Sequence, residues 1–162
     1  MTEQDKKAIA ALNTISYGLY VISSKMDGRV NAQCGNSLFQ ITTSPRRVAV
    51  GINKSNYTFE FIRSSGVLCV NVLRQDQMPY VRHFGLQSGR KVDKFATVKC
   101  EARATGSPVL PDALAYMDCR VVAPSCVDCG THMIFVCDMV EGDVLNPGEP
   151  LTYDYYRRNR TS

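Results

Sequence analysis

The chain has 162 residues, 19 Lys plus Arg against 15 Asp plus Glu, and a formal net charge of +4 at pH 7. With 44% hydrophobic and 21% charged residues it has the composition of one globular domain over residues 1–162, burying roughly 70% of its unfolded surface, which excludes collagen-like and disordered chains. No apolar run approaches the roughly 18 residues of a membrane span, and MTEQDKKAIAALNTIS lacks the apolar core of a secretory leader, so membrane and secreted classes are set aside.

In chain order, residues 5–13 (DKKAIAALN) carry apolar positions at helical spacing and stop on Asn13 ahead of Ser16-Tyr17-Gly18. Residues 19–22 read as a strand, and Asp27-Gly28 marks a hairpin, because a type I′ turn needs positive φ. The return strand is expected over residues 30–42, with Gly35 as a bulge or a point of close backbone approach. Pro45 then separates it from a strand at residues 48–53. Residues 56–64 suit a helix whose face holds Phe59, Ile62 and Arg63, ending at Gly66, and residues 67–73 form an apolar strand. Residues 75–84 read as helical around Pro79, harmless in a first turn. After a polar loop over 85–93, extended segments are expected near 97–104, 116–123 and 131–145. Long strands with few short helices point to a mostly β, antiparallel barrel with helical insertions.

The charge balance is too mild for nucleic acid, since Arg157, Arg158 and Arg160 form a solvated terminal cluster and leave the rest near neutral. Seven scattered cysteines, an odd number without an export signal, argue for reduced thiols in a cytoplasmic setting. Several fall at buried strand positions, where Cys acts as a small hydrophobe.

Two segments carry chemistry. Residues 31–40 (NAQCGNSLFQ) place two Asn, two Gln and a Ser among small residues, a set able to hydrogen-bond the edge of a flat heteroaromatic ring. The plainer alternative is the polar outer face of an antiparallel strand. Residues 53–58 (NKSNYT) leave a strand and enter a helix, so Lys, Ser and Thr side chains meet free N–H groups as an anion site would require. The plainer alternative there is N-capping by Ser55 or Asn56. Nucleotide-binding glycine motifs, zinc-protease motifs and a serine-nucleophile elbow are absent from the sequence.

The stretch ISYGLYVISSKMDGRVNAQCGNSLFQITTSPRRVAVGINKSNYTFEFI resembles the flavin reductase-like, FMN-binding split-barrel proteins, nearest the flavin domain of high-molecular-weight rubredoxins and flavoredoxins. Matching pieces continue in order: Val70-Asn71-Val72-Leu73, Phe84-Gly85 with Ser88-Gly89-Arg90 and Asp93-Lys94-Phe95, residues 114–119, Gly130-Thr131-His132 with Phe135-Val136, and residues 151–156. The resemblance implies a Greek-key split β-barrel acting as a homodimer, with FMN near the subunit interface. It implies that Asn31, Ala32, Gln33, Cys34, Asn36, Ser37, Leu38 and Phe39 pack on the isoalloxazine ring. It also implies that Asn53, Lys54, Ser55 and Thr58, with Lys94 nearby, hold the ribityl phosphate. By the same resemblance His132 lies at the open face where NAD(P)H approaches; the alternative is a structural histidine at a strand start.

Three features depart from the family pattern. Cys126 and Cys129 with His132 form C-x-x-C-x-x-H, but zinc lacks a fourth ligand, so the pair is read as incidental or as a minor redox feature. Cys34 stands where a hydroxyl residue is usual and would tune the flavin or simply fill space. The chain ends at Ser162 without the paired C-x-x-C-G of a rubredoxin domain, so the electron acceptor is expected to be a separate molecule: free flavin, a rubredoxin-like protein or another acceptor. The expected activity is an oxidoreductase passing electrons from NAD(P)H through FMN. The alternative is an FMN-binding electron carrier that never meets nicotinamide.

Overall fold

The computed structural model describes residues 1–160. Helix α1 (Glu3–Leu12) opens on a capping box, in which Thr2 Oγ1 accepts from Asp5 N and Asp5 accepts from Thr2 N. Strand β1 (Tyr20–Met26) turns through Asp27 (φ 50°) and Gly28 (φ 73°) into β2 (Arg29–Gly35), the hairpin that Asp-Gly predicts. Strand β3 (Leu38–Thr43) follows after Asn36-Ser37 and pairs with β4 (Arg46–Asn53). Helix α2 (Tyr57–Ser65) ends on Gly66 in the left-handed conformation, φ 68°, and leads into β5 (Val67–Val72). A short 3₁₀ turn, Gln75–Gln77, precedes α3 (Met78–Gly85). Two two-residue strands, β6 (Glu101–Ala102) and β7 (Pro108–Val109), pair with each other. Then come β8 (Ala115–Val121), β9 (Val127–Asp128), β10 (His132–Val144) and α4 (Tyr153–Asn159).

The main sheet is antiparallel in the order β2-β1-β5-β8-β10-β4-β3, with β9 beside β10. Its two outermost strands, β2 and β3, are consecutive in the chain. The inner face carries Ile22, Val50, Ile52, Leu68, Val70 and Phe135, closed by Phe59 and Ile62 of α2. The opposite face carries Val21, Ala32 and Leu73, covered by Val81 and Phe84 of α3 with Leu110 and Leu151. Each Val, Leu, Ile or Phe among these, fully buried, contributes about 1.5–3 kcal/mol. The consequence for function is that β2 lies between two helices, α2 on one face and α3 on the other.

Three expectations are corrected, and the structure decides between the two readings offered for Gly35. The single return strand over residues 30–42 is two strands with different partners, because the chain leaves β1 at Gly35 and re-pairs with β4 from Leu38 onward. Gly35 is a close approach, since a Cβ there would lie 2.9 Å from Ile22 Cδ1. Arg63 is exposed; the buried face of α2 is Thr58, Phe59, Phe61 and Ile62. Of the extended segment near 97–104 only Glu101–Ala102 pairs. The terminal arginines are exposed as expected, Arg157 and Arg158 on α4 and Arg160 at its C-cap.

Candidate functional site

Strand β4 delivers the chain to a tight corner. Asn53 Oδ1 accepts from Ser55 N (2.9 Å) and Ser55 Oγ (2.8 Å), an Asx turn that reverses the backbone into α2. Asn56 has the extended backbone of an N-cap residue, yet no side chain caps α2. Its Nδ2 donates instead to Gln33 Oε1 at 3.2 Å. Thr58 is buried and its hydroxyl accepts from Asn31 Nδ2 at 2.9 Å, so two β2 amides anchor the first turn of the helix while its leading N–H groups lack a side-chain cap.

The facing wall is the end of α3 and the loop over residues 86–94. Two glycines let it approach β2. A Cβ on Gly85 would stand 3.2 Å from Cys34 Cβ, and one on Gly89 would stand 2.0 Å from Asn31 Oδ1. Lys94, only 5% exposed, donates to Ala32 O and Phe84 O, both at 2.8 Å, and its own carbonyl lies 2.7 Å from His83 Nε2. Arg90 donates to Ser55 O at 3.2 Å, pairs with Glu60, and stacks 4.8 Å over the Tyr57 ring. The cleft between them, about 170 Å³, is lined by Gln33, Ser55, Asn56, Ser88, Arg90 and Lys94 among others.

Burial lowers the Lys94 ammonium to about 8, with the nearby Cys34 thiol opposing the shift. Burial raises Cys34 to about 11 against the pull of that ammonium. At neutral pH the pair is therefore an ammonium beside a neutral thiol. An uncapped helix start, two serine hydroxyls, an arginine and a buried ammonium make a set weighted toward donors, which suits an acceptor-only anion.

Alternation distributes the sequence-selected residues. Asn31 and Gln33 reach the α2 side through their bonds to Thr58 and Asn56. Ala32 and Cys34 belong to the α3 side. Asn36 and Ser37 form the half-open bend between β2 and β3, where Ser37 O accepts from Gly51 N at 2.8 Å. Leu38 packs inward on the core, whereas Phe39 is 59% exposed on the outer face. Lys54 points away, its Nζ 2.5 Å from Asp128 Oδ1. His132 is exposed and does not line the cavity, but it pairs across the sheet with Asn53, and Lys54 N donates to Thr131 O at 2.9 Å. The histidine thus sits beside the corner.

Sequence reasoning gave no site role to Ser88 or Arg90, took Tyr57 only as part of the 53–58 segment, and read Asn56 as a possible cap where it bonds Gln33 instead. Ser88-Gly89-Arg90 offered the one usable signal, a glycine directly before a cation in a polar loop. Cys126 and Cys129 are free thiols, and among the described residues no group of three His, Cys, Asp or Glu side chains is placed to hold a metal ion.

Residues 12–162 match the flavin reductase like domain. The chain is similar to the high molecular weight rubredoxin of Moorella thermoacetica, 42% identical over 150 residues, which is 91% of this chain and 65% of that protein; it thus spans just under two thirds of that relative. It is 37% identical over 151 residues to the ferric-chelate reductase (NAD(P)H) of Archaeoglobus fulgidus, 91% of this chain and 88% of that protein. Among solved structures, the flavin reductase PheA2 in its native state superposes with a TM-score of 0.78 at 28% identity, covering 94% of this chain and 93% of its own.

Proposed function

The chain belongs to the flavin reductase-like family, and from that premise we propose that it is an FMN-binding oxidoreductase, one domain over residues 1–162, that takes electrons from NAD(P)H. The observation that carries this is the uncapped start of α2, ringed by Ser55, Ser88 and Arg90. A phosphate there receives helix N–H groups, hydroxyls and a guanidinium together. At about 170 Å³ the cavity suits a phosphate and its ribityl arm, not a three-ring system. The ring would then lie outside the cavity, toward the bend at Gly35, Asn36 and Ser37 that follows Gln33 and Cys34 of its wall. When bound, FMN supplies the electron chemistry, accepting an electron pair from nicotinamide and releasing it to an acceptor.

The chain's own residues bind and orient. Lys94 fixes the β2 backbone against α3, Gln33 and Asn31 hold α2 at its angle, and Arg90 closes the corner. His132 is anchored through Nδ1 to Thr131 Oγ1 at 2.9 Å and presents its other edge to an incoming nicotinamide. The acceptor would be free flavin or a rubredoxin-like protein, the latter supported by the similarity to the high molecular weight rubredoxin of Moorella thermoacetica.

A homodimer is supported by an apolar strip across the outer face. Phe39, Ala49 and Val136 are in register there, as are Gly51, Ile134 and Val127, and Phe39 (59%) and Val127 (51%) are exposed. Helix α1, only ten residues long, has no buried residue, and such a helix is marginal unless something covers it. On the split-barrel reading, β2 and β3, outermost in the sheet and consecutive in the chain, would be the two lips of the barrel. Seven free thiols support a reducing, cytoplasmic setting.

Anaerobic titration of the FMN-loaded protein with NADH and NADPH tests the reading. Rapid loss of flavin absorbance is expected. Tight FMN binding without any loss would identify an electron carrier, and no FMN binding would end the proposal.

A further inference from the structure

Helix α3 and the segment after it carry the charge that the rest of the molecule lacks. Residues 78–100 hold five basic side chains (Arg82, Arg90, Lys91, Lys94 and Lys99) and one acidic, Asp93, so the whole net charge of +4 resides there and the other residues balance. Arg90 is answered by Glu60, and Lys94 is buried. Arg82, Lys91 and Lys99 are exposed without an ion-pair partner among the described residues, whereas Arg157 and Arg158 at the terminus both pair with Asp154. Unanswered cations of this kind attract an anionic surface.

The same surface has an apolar centre. Val81 and Phe84 of α3 are buried against the sheet, so the helical period turns Pro79, Arg82 and Leu86 outward. A shallow hollow of about 460 Å³ is lined by Pro79, Arg82, His83, Leu86 and Gln87. Leu86 is 73% exposed, after Met1 the most exposed large apolar side chain among the described residues. Ser88 O accepts from Lys91 N and Val92 N, and His83 Nε2 lies 2.7 Å from Lys94 O, so the loop bearing Lys91 folds back onto the helix. An apolar centre with a charged rim is the anatomy of a protein interface. Nucleic acid asks for exposed aromatic rings as well, and Tyr80, Phe84 and Phe95 are buried or half-buried.

The position of this face ties it to the cofactor corner. Gly85, directly before Leu86, approaches β2 so closely that a Cβ would stand 3.2 Å from Cys34 Cβ. Cys34 and Gly35 lead into the bend at Asn36 and Ser37, toward which the flavin ring is proposed to lie. We propose that the outer face of α3 docks an acidic one-electron carrier protein, with Leu86 at the centre of the contact and Arg82 and Lys91 facing its carboxylates. This rests on the flavin reading above and selects the protein acceptor over free flavin, which has no use for a face on the far side of α3 from β2. Two carrier molecules are reduced per flavin, one electron each, and the two protons of the reduced flavin pass to solvent.

Calorimetric titration of the FMN-loaded protein with an acidic rubredoxin tests this, with a basic cytochrome c as the control of opposite charge. Rubredoxin is expected to bind, and its affinity to fall about ten-fold between roughly 25 mM and 300 mM salt. Arg82→Glu and Leu86→Asp, both at exposed positions, are each expected to weaken that binding about ten-fold or more, with FMN affinity and free-flavin reduction unchanged. Normal FMN binding without rubredoxin binding, or rubredoxin binding untouched by Arg82→Glu, overturns the docking face alone. Equal affinity for cytochrome c removes the charge argument and overturns it too, and equal affinity for a DNA duplex would make the face a general polyanion binder. Failure to bind FMN overturns the flavin reading and the docking face with it.

Discussion

Asn56 stands at the N-cap of α2, yet its amide is bonded to Gln33 of β2, 23 residues away in the chain, at 3.2 Å. A polar residue at that position normally closes the helix start, and leaving it open costs about 1 kcal/mol. The forfeited cap is what leaves donors free for an anion. Asn56→Asp is therefore expected to move two quantities in opposite directions. A carboxylate caps the helix and complements its dipole, raising the stability of flavin-free protein by about 0.5–1 kcal/mol in urea unfolding. The same charge repels phosphate and weakens FMN binding by about ten-fold or more. A rise in stability with unchanged FMN affinity would place the phosphate elsewhere.

Arg90 meets the corner from the opposite wall, donating to Ser55 O and pairing with Glu60. Arg90→Ala removes the guanidinium and leaves the Glu60 carboxylate without its partner. FMN affinity is expected to fall about 10–100-fold, read by fluorescence titration. Arg90→Lys recovers only part, since a point charge cannot hold the Ser55 carbonyl, Glu60 and the Tyr57 face together. Stability of the flavin-free protein should change by no more than about 1 kcal/mol, because the Arg90–Glu60 pair is solvent-facing.

Much of this was legible in order along the chain, and the gaps have physical causes. Asp27-Gly28 and Gly66 each announce a positive φ, so the β1–β2 hairpin and the end of α2 could be read directly. The break between β2 and β3 could not. Both halves are extended, and nothing local in Asn36-Ser37 encodes the change of partner from β1 to β4. The amides of residues 31–40 suggested a ring edge, but Asn31 and Gln33 turn out to grip α2. The corner at Asn53–Thr58 was readable because helix N-termini have a local signature. Its other wall was not, since Ser88 and Arg90 reach it only through the glycine contacts of a loop with no periodicity.

Alkaline pH is expected to unfold the protein through its thiols. Burial raises Cys34 to about 11 and Cys119 to about 12, and holds Cys69 and Cys137 well above the ordinary thiol range. A folded-state value above the unfolded one means that the native protein keeps protons the unfolded chain has released. Stability is therefore full below about pH 8.5 and falls as pH rises from there through the folded values, by about 1.4 kcal/mol per thiol per pH unit. Lys94, lowered to about 8, works in the opposite sense between about pH 8 and 10.4, where the unfolded chain holds the extra proton. Four thiols outweigh one amine, so chemical denaturation should show a steep loss above pH 9. Cys137→Ala should flatten that slope while costing about 1 kcal/mol at pH 7 through lost packing. An unchanged slope would refute the assignment.

His132 opens β10 directly across from Asn53, with Nδ1 held by Thr131 Oγ1 and no protein partner on Nε2 among the described residues. An imidazole fixed by one nitrogen at the edge of the proposed cofactor corner is suited to orient a second ligand, not to build the site. His132→Ala is expected to raise the KM for the nicotinamide nucleotide about ten-fold, leaving FMN affinity and urea stability unchanged. Thr131→Ala, which frees the ring to rotate, should give a smaller shift in the same direction. Anaerobic stopped-flow measurements at several nucleotide concentrations separate binding from electron transfer. Should His132→Ala leave both unaltered, the histidine is no more than the first residue of a strand, and the nicotinamide must be oriented by another part of the bend at Asn36 and Ser37.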